Sequence, residues 1–148
     1  MREDVLVRLK GEQSFRDAGR AGEEPVEILT AGTYRPENGS HVVLYDEVSE
    51  DGMEVTKNRM VLKQNAVEVH KSGEIDVDMI FEPGKNSISC YSTPYGDLEM
   101  GISTTALRMR EWENRILAHI NYALSMNGQH VADCVMDIRV ESVRISPR

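Results

Sequence analysis

The densest chemistry in this chain lies in Tyr91-Ser92-Thr93-Pro94-Tyr95-Gly96. Tyr91, Thr93 and Tyr95 place two phenols and a hydroxyl within five residues. Such a group gives an aromatic wall with polar handles, the equipment of a small-ligand site at a barrel mouth. Pro94 and Gly96 also suit a tight turn, so the same tyrosines read equally as a cover over one end of the fold. A second group is His41, Tyr45 and Glu47, at alternate positions that a strand would present on one face. Turned into a barrel, they could do acid–base work; turned outward, they are solvated. Arg139 stands between Asp137 and Glu141 on alternate positions. A guanidinium binds carboxylates and phosphates through paired hydrogen bonds, so an inward Arg139 would make an anion site. Met136, Ile138 and Val140 on the opposite parity favour an outward Arg139 held in ion pairs. The candidate ligand-binding residues are therefore Tyr45, Tyr91, Thr93, Tyr95 and Arg139.

Other chemistries find little support. Glu74, Asp76 and Asp78 share a strand face, but spacings of about 7 Å along it are wide for two carboxylates sharing a small ion. They read as a solvated, edge-protecting face. His41, His70, His119 and His130 show no zinc-ligand spacing. No G-x-S-x-G occurs, no glycine loop precedes a helix, and Cys90 has no basic neighbour to activate it. The expectation is no catalytic residue, no metal and no cofactor. The net charge is −8, which argues against a nucleic-acid partner. No apolar run approaches the roughly 18 residues of a membrane helix, and the opening MREDVLVRLK lacks a signal peptide's apolar block. A cytoplasmic protein with two reduced, mostly buried thiols, Cys90 and Cys134, is expected.

The elements that must position these residues are strands. The 148 residues fit one domain, and 15 Val and 9 Ile outnumber 9 Leu, a bias towards a pleated surface. Alternation marks segments at Val5–Lys10, Val26–Thr33, Ser40–Val48, Met53–Leu62, Ala66–Lys71, Glu74–Phe81, Asn86–Ser92 and Leu98–Ile102. Asn38-Gly39, Asp51-Gly52, Ser72-Gly73 and Pro83-Gly84 punctuate them. The stretch from Gly11 to Pro25 reads as a connection with a tendency to disorder. Thr104–Met126 fits both helical and period-two spacing, but Asn127-Gly128 favours a type I′ turn. Arg115–Met126 and Gln129–Ile145 then form a long hairpin, and Thr104–Trp112 a short helical turn or a loop. A parity change after Val140 predicts a bulge near Glu141-Ser142. Nine or ten strands with no βαβ alternation give an all-β, antiparallel sandwich or barrel, in which closure would remove the exposed edges.

The string YSTPYGDLEMGIST, the I-x-Y-x-L-x-x-N-G segment from Ile120 to Gly128 and M-x-I-x-V at Met136–Val140 resemble the YwiB-like family of small bacterial proteins of unknown function. Gly32, Tyr34 and Leu44-Tyr45-Asp46-Glu47 fit the same pattern. The resemblance implies a single calycin-like, lipocalin-related β-barrel across residues 1–148 and implies no activity. The first reading of function is a non-enzymatic barrel that binds a small ligand or a protein. The alternatives are a self-associating module, such as a homodimer using its eight methionines, and an enzyme working through the His41/Tyr45/Glu47 face. That last reading gains if Val42, Leu44 and Val48 point outward.

Overall fold

The computed structural model describes residues 1, 3–15, 25–73, 76–93 and 95–143. Ten strands follow one another: β1 (Asp4–Phe15), β2 (Val26–Glu37), β3 (Ser40–Val48), β4 (Val55–Lys63), β5 (Ala66–Ser72), β6 (Val77–Phe81), β7 (Asn86–Thr93), β8 (Gly96–Trp112), β9 (Arg115–Met126) and β10 (Gln129–Ser142). All pair antiparallel in one sheet, in the order β6-β5-β4-β3-β2-β1-β10-β9-β8-β7. The first and last strands therefore pair in the middle of the sheet, and consecutive strands β6 and β7 form its two edges. The sheet curls until these edges meet in a nearly closed barrel. Among the described residues no ladder joins them. Instead the Ser89 hydroxyl donates to the Asp78 carbonyl, Gly84 N–H donates to the Thr104 carbonyl at 3.0 Å, and Thr104 N–H donates to the Lys85 carbonyl at 3.4 Å. A covered seam of this kind removes most of an exposed edge without full closure.

Two tight turns set the register. Asn38-Gly39 and Asn127-Gly128 both hold φ near +51° and +81°, the left-handed pair that a type I′ turn requires. Asp51-Gly52 does not make such a two-residue turn. It lies in a longer loop closed by Ser49 N–H to the Glu54 carbonyl, with the Asp51 carboxylate accepting from the Ser49 hydroxyl and Met53 N–H. Met53 and Glu54 thus precede β4 rather than begin it.

The core joins Val5 and Val7 to Ile138 and Val140, to Ile116, Ala118 and Ile120, and across the barrel to Val43, Met60, Leu62, Val67 and Phe81. Each fully buried aliphatic of this size contributes about 1.5–3 kcal/mol of hydrophobic stabilisation. Met60 is fully buried and Met109 packs against the core, so neither supplies an adaptable surface; Met53, by contrast, is exposed.

Four expectations change. Thr104–Trp112 is neither helix nor loop but the second half of the long strand β8. A register shift between Thr104 and Ala106 reverses its side-chain parity, and this produced the mixed periodicity. The predicted bulge at Glu141-Ser142 is absent: pairing there is regular on both sides, and the irregularity of β10 falls between His130 and Ala132. Cys134 is buried but Cys90 is exposed, and their strands β10 and β7 are not neighbours in the sheet. Finally, β1 continues to Phe15, beyond the start of the expected connection. The rest of that connection (residues 16–24), Glu74 and Ile145 lie outside the described residues.

Candidate functional site

Strand β3 decides the site, because its faces are reversed from the simplest hydrophobic count. Leu44 and Val48 are exposed, whereas Val43 and Tyr45 are buried at 0% and 4% exposure. The inward face of β3 thus carries His41, Val43, Tyr45 and Glu47. Gly32 explains how a tyrosine fits there. It faces Tyr45 across the β2–β3 ladder, and a Cβ at position 32 would meet the Leu44 carbonyl at 2.7 Å and a Val7 methyl at 3.1 Å. The missing side chain leaves the space beside the ring.

From Tyr45 a row of inward residues continues in register through Asn58 on β4 to Lys71 on β5. Asn58 is only 2% exposed, and a buried amide demands partners. Its Nδ2 donates to Glu47 at 2.9 Å and to the Thr56 carbonyl at 3.4 Å, while its Oδ1 accepts from Lys71 Nζ at 2.8 Å. Lys71 Nζ also donates to Glu47. The three side chains form a satisfied, charge-paired cluster that uses two of the three ammonium protons. The Tyr45 hydroxyl has no hydrogen-bond partner among the described residues. Burial, reinforced by the Glu47 carboxylate, holds its pKa well above the ordinary tyrosine value.

This row borders a concave region of about 1080 Å³ that is open to solvent: Tyr45, Asn58 and Lys71 touch it from the inner face, and outward residues such as Leu44, Asp46, Lys57 and Arg59 line it as well. Asp76, Val77 and Asp78 line it from the β6 side, and Ile88, Ser89 and Cys90 from β7, so the cavity lies against the seam. Its volume sits at the upper end of the roughly 300–1,000 Å³ of small-molecule sites.

The opposite end of the barrel holds the inward histidine of β3. His41 Nε2 lies 2.7 Å from Glu111 Oε1, and His41 Nδ1 lies 2.7 Å from the Tyr34 hydroxyl. A carboxylate only accepts, so Nε2–H donates to Glu111; in the neutral ring Nδ1 then accepts from Tyr34 O–H. The bridge ties β2 and β3 to the non-adjacent strand β8 across the barrel mouth. Burial and the Glu111 charge raise the Tyr34 pKa.

The sequence-derived candidates separate. Tyr45 lines the cavity. Tyr91 and Thr93 stand on β7 opposite Leu98 and Gly96, but their side chains and Pro94 lie outside the described residues. Tyr95 is on the β7–β8 turn with 99% of its surface exposed. Arg139 is on the outer face of β10, 3.8 Å from Glu141, away from the cavity. His41, Tyr45 and Glu47 share an inward face yet belong to two networks, His41 with Glu111 and Glu47 with Asn58 and Lys71. Asn58, Lys71 and Glu111 were missed. The signal for Lys71 was its place in phase with the apolar Val67 and Val69, and for Asn58 its phase with Met60 and Leu62. Among the described residues, no group of three or more His, Cys, Asp or Glu side chains could hold a metal ion, and no helix is long and apolar enough to cross a membrane.

An antiparallel ten-stranded barrel, nearly closed at a β6–β7 seam, defines this chain as a calycin-like β-barrel protein. Residues 7–138 match the family described as a domain of unknown function (DUF1934), and the chain belongs to that family. The crystal structure of the ywiB protein from Bacillus subtilis is similar, with a TM-score of 0.72 over 97% of this chain and 96% of that one, at 24% sequence identity. At that identity the likeness concerns the fold alone. No curated protein matches the chain.

Proposed function

We propose that this barrel binds a small, oxygen-bearing molecule in the cavity beside Tyr45. One observation carries the reading: a tyrosine only 4% exposed, its hydroxyl with no partner among the described residues, borders an open concave region of about 1080 Å³. The hydroxyl oxygen is not among the fully buried unpaired atoms, so it meets solvent, and an occupant would replace that water contact with a direct hydrogen bond. The donors left over after internal pairing are Tyr45 O–H and one N–H of Lys71. They suit an acceptor oxygen, a carbonyl or carboxylate, while Val77 offers apolar contact to the rest of the molecule. Binding rather than turnover is favoured, because the ionisable groups of the row, Glu47 and Lys71, are committed to each other. In this reading the protein is a non-enzymatic, cytoplasmic small-molecule-binding barrel.

The test is thermal unfolding of the purified protein against a set of small carboxylates and neutral carbonyl compounds, followed by titration of those that raise the midpoint. Tyr45→Phe and Lys71→Met are expected to weaken binding by about tenfold or more while the barrel stays folded. If no compound shifts the midpoint, or both variants bind as tightly as the parent, the reading is wrong.

A further inference from the structure

The outer face of the barrel opposite the seam carries a charge pattern that the total charge conceals. On β1, β10, β9 and β8, two outward rows run in register. One is Arg8, Arg139, Leu117 and Arg110; the other is Lys10, Asp137, His119 and Arg108. Trp112 and Arg115 face each other at the end of the adjoining β8–β9 hairpin, with the guanidinium 4.3 Å from the ring centroid. Six cations therefore gather on four neighbouring strands of a chain whose net charge is −8. A groove of about 470 Å³ lies over the middle of the patch, lined by Arg8, Lys10, Arg108, Arg110, His119 and Arg139.

Acids accompany them: Glu12 follows Lys10 on the outer face of β1, exposed and with no ion pair among the described residues, and three others are engaged. Glu27 pairs with Arg8, Asp137 lies 2.6 Å from His119, and Glu141 lies 3.8 Å from Arg139. Lys10, Arg108 and Arg110 have no ion pair among the described residues. Of these, Arg108 and Arg110 stand two positions apart on β8, and an anionic partner would relieve their repulsion. The remaining acids do not cancel this field, because charges separated by more than about 8–10 Å are largely screened at ordinary ionic strength.

Geometry and composition narrow the partner. The cations on one strand repeat about every 7 Å, and the two walls of the groove stand three strand spacings apart, about 14 Å. The patch is long and open, suited to an extended polymer. Five of its six cations are arginines, whose planar guanidinium matches phosphate oxygens and stacks on flat rings. Trp112 is 44% exposed and Leu117 lies between the cationic walls, which adds flat and apolar surface to the charge. A cationic groove beside an aromatic platform is the arrangement that holds single-stranded nucleic acid without reading its sequence. We infer that the outer face of β1, β10, β9 and β8 binds single-stranded nucleic acid, with Lys10, Arg108 and Arg110 on phosphates and Trp112 stacking a base. The site is separate from the Tyr45 cavity and does not rest on it.

Fluorescence anisotropy with a labelled oligouridylate about 12 nucleotides long tests the inference, on a scale set by the span of one single-strand-binding domain. Three phosphate contacts give a log–log salt slope of about −2, hence roughly 20-fold weaker binding between about 50 and 200 mM salt. Arg108→Gln with Arg110→Gln is expected to weaken binding and to flatten the slope by about 1.4. Trp112→Ala is expected to weaken it by at least about fivefold with the slope unchanged. The three exposed positions leave the core intact, and an unchanged melting temperature confirms it. The inference is overturned by any of three results: no binding at about 50 mM salt, binding indifferent to the double arginine variant, or displacement of the oligonucleotide by a poly-glutamate of equal length as readily as by unlabelled oligonucleotide.

Discussion

Raising the pH from 8 to 11 should unfold this barrel through its buried tyrosines, and Tyr45 gives the most direct measure. Its pKa is raised by burial and then by Glu47, and that of Tyr122 by burial and then by Cys134. Below pH 10 both the folded and the unfolded chain hold the phenol proton, and the contribution to stability is complete. Above pH 10 the unfolded chain releases it while the folded barrel keeps it. The unfolded state then binds fewer protons, and stability falls as pH rises. With an unfolded pKa of about 10, one tyrosine still protonated in the folded state lowers stability by about 1.4 kcal/mol at pH 11. Tyr45 and Tyr122 together lower it by about 2.8 kcal/mol. Burial also raises the Cys134 thiol, which adds a loss beginning nearer pH 9. Tyr45→Phe isolates one part of this. Urea unfolding at pH 8 and pH 11, at a slope of about 2 kcal/mol per molar, should show the wild-type midpoint falling about 0.7 M further than that of the variant. Parallel falls would mean that Tyr45 ionises in the folded barrel as it does in the unfolded chain. That would refute its burial.

Three further outcomes follow from the packing. Gly32→Ala should destabilise by about 1–3 kcal/mol in chemical denaturation, since the new methyl meets a backbone carbonyl at 2.7 Å; a neutral result would mean that β2 and β3 can separate there. Thr104→Val should be neutral or stabilising, by up to about 1 kcal/mol in urea unfolding, because the Thr104 hydroxyl is buried without a partner; a loss of 2 kcal/mol or so would reveal a hidden hydrogen bond. His41→Ala should lower stability by about 1–3 kcal/mol, since it leaves the Tyr34 hydroxyl without a partner, and most of that loss should return in the double variant with Tyr34→Phe. Two independent, additive effects would show that the histidine bridge is not one unit.

The turns and the strand interiors were legible in the sequence because both are local. Asn127-Gly128 fixed the long hairpin, and Ser40–Val48 and Arg115–Met126 have the bounds that alternation predicts. The second half of β8 was not legible, because one extra residue at Thr105 turns Glu111 inward and Arg108 and Arg110 outward. Nor was the orientation of β3. Val42, Leu44 and Val48 are a more apolar set than His41, Val43, Tyr45 and Glu47, and a count of hydrophobic residues puts that set in the barrel interior; Leu44 and Val48 are exposed, while Val42 is buried on the outer parity. What orients the strand is non-local: Gly32 leaves space beside Tyr45, and Asn58 and Lys71 on the next two strands satisfy Glu47. The cationic face was obscured for the same reason. Total charge sums over the chain, while the field at a surface depends on which strands the topology makes neighbours.

The barrel is thus divided twice, inside and out, and the division argues that its polar interior is not required for folding. Val5, Val7, Ile138, Val140, Ile116 and Ile120 show that this backbone accepts a fully apolar inner wall on β1, β10 and β9. On β3, β4 and β5 the same kind of position holds Glu47, Asn58 and Lys71 instead. Removing such a set from water costs several kcal/mol per ion, and hydrophobic residues of similar volume would commonly be as stable or more so. Satisfied hydrogen bonds offset that cost but do not explain why the polar residues are there. The Tyr45 phenol, with no hydrogen-bond partner among the described residues, continues the row, and no contact in the core calls for a hydroxyl at that position. Sites built for binding accept such local departures from the most stable arrangement. On the function proposed above, the polar row is the part of the interior that meets an occupant, and the apolar wall behind it the part that holds the barrel together.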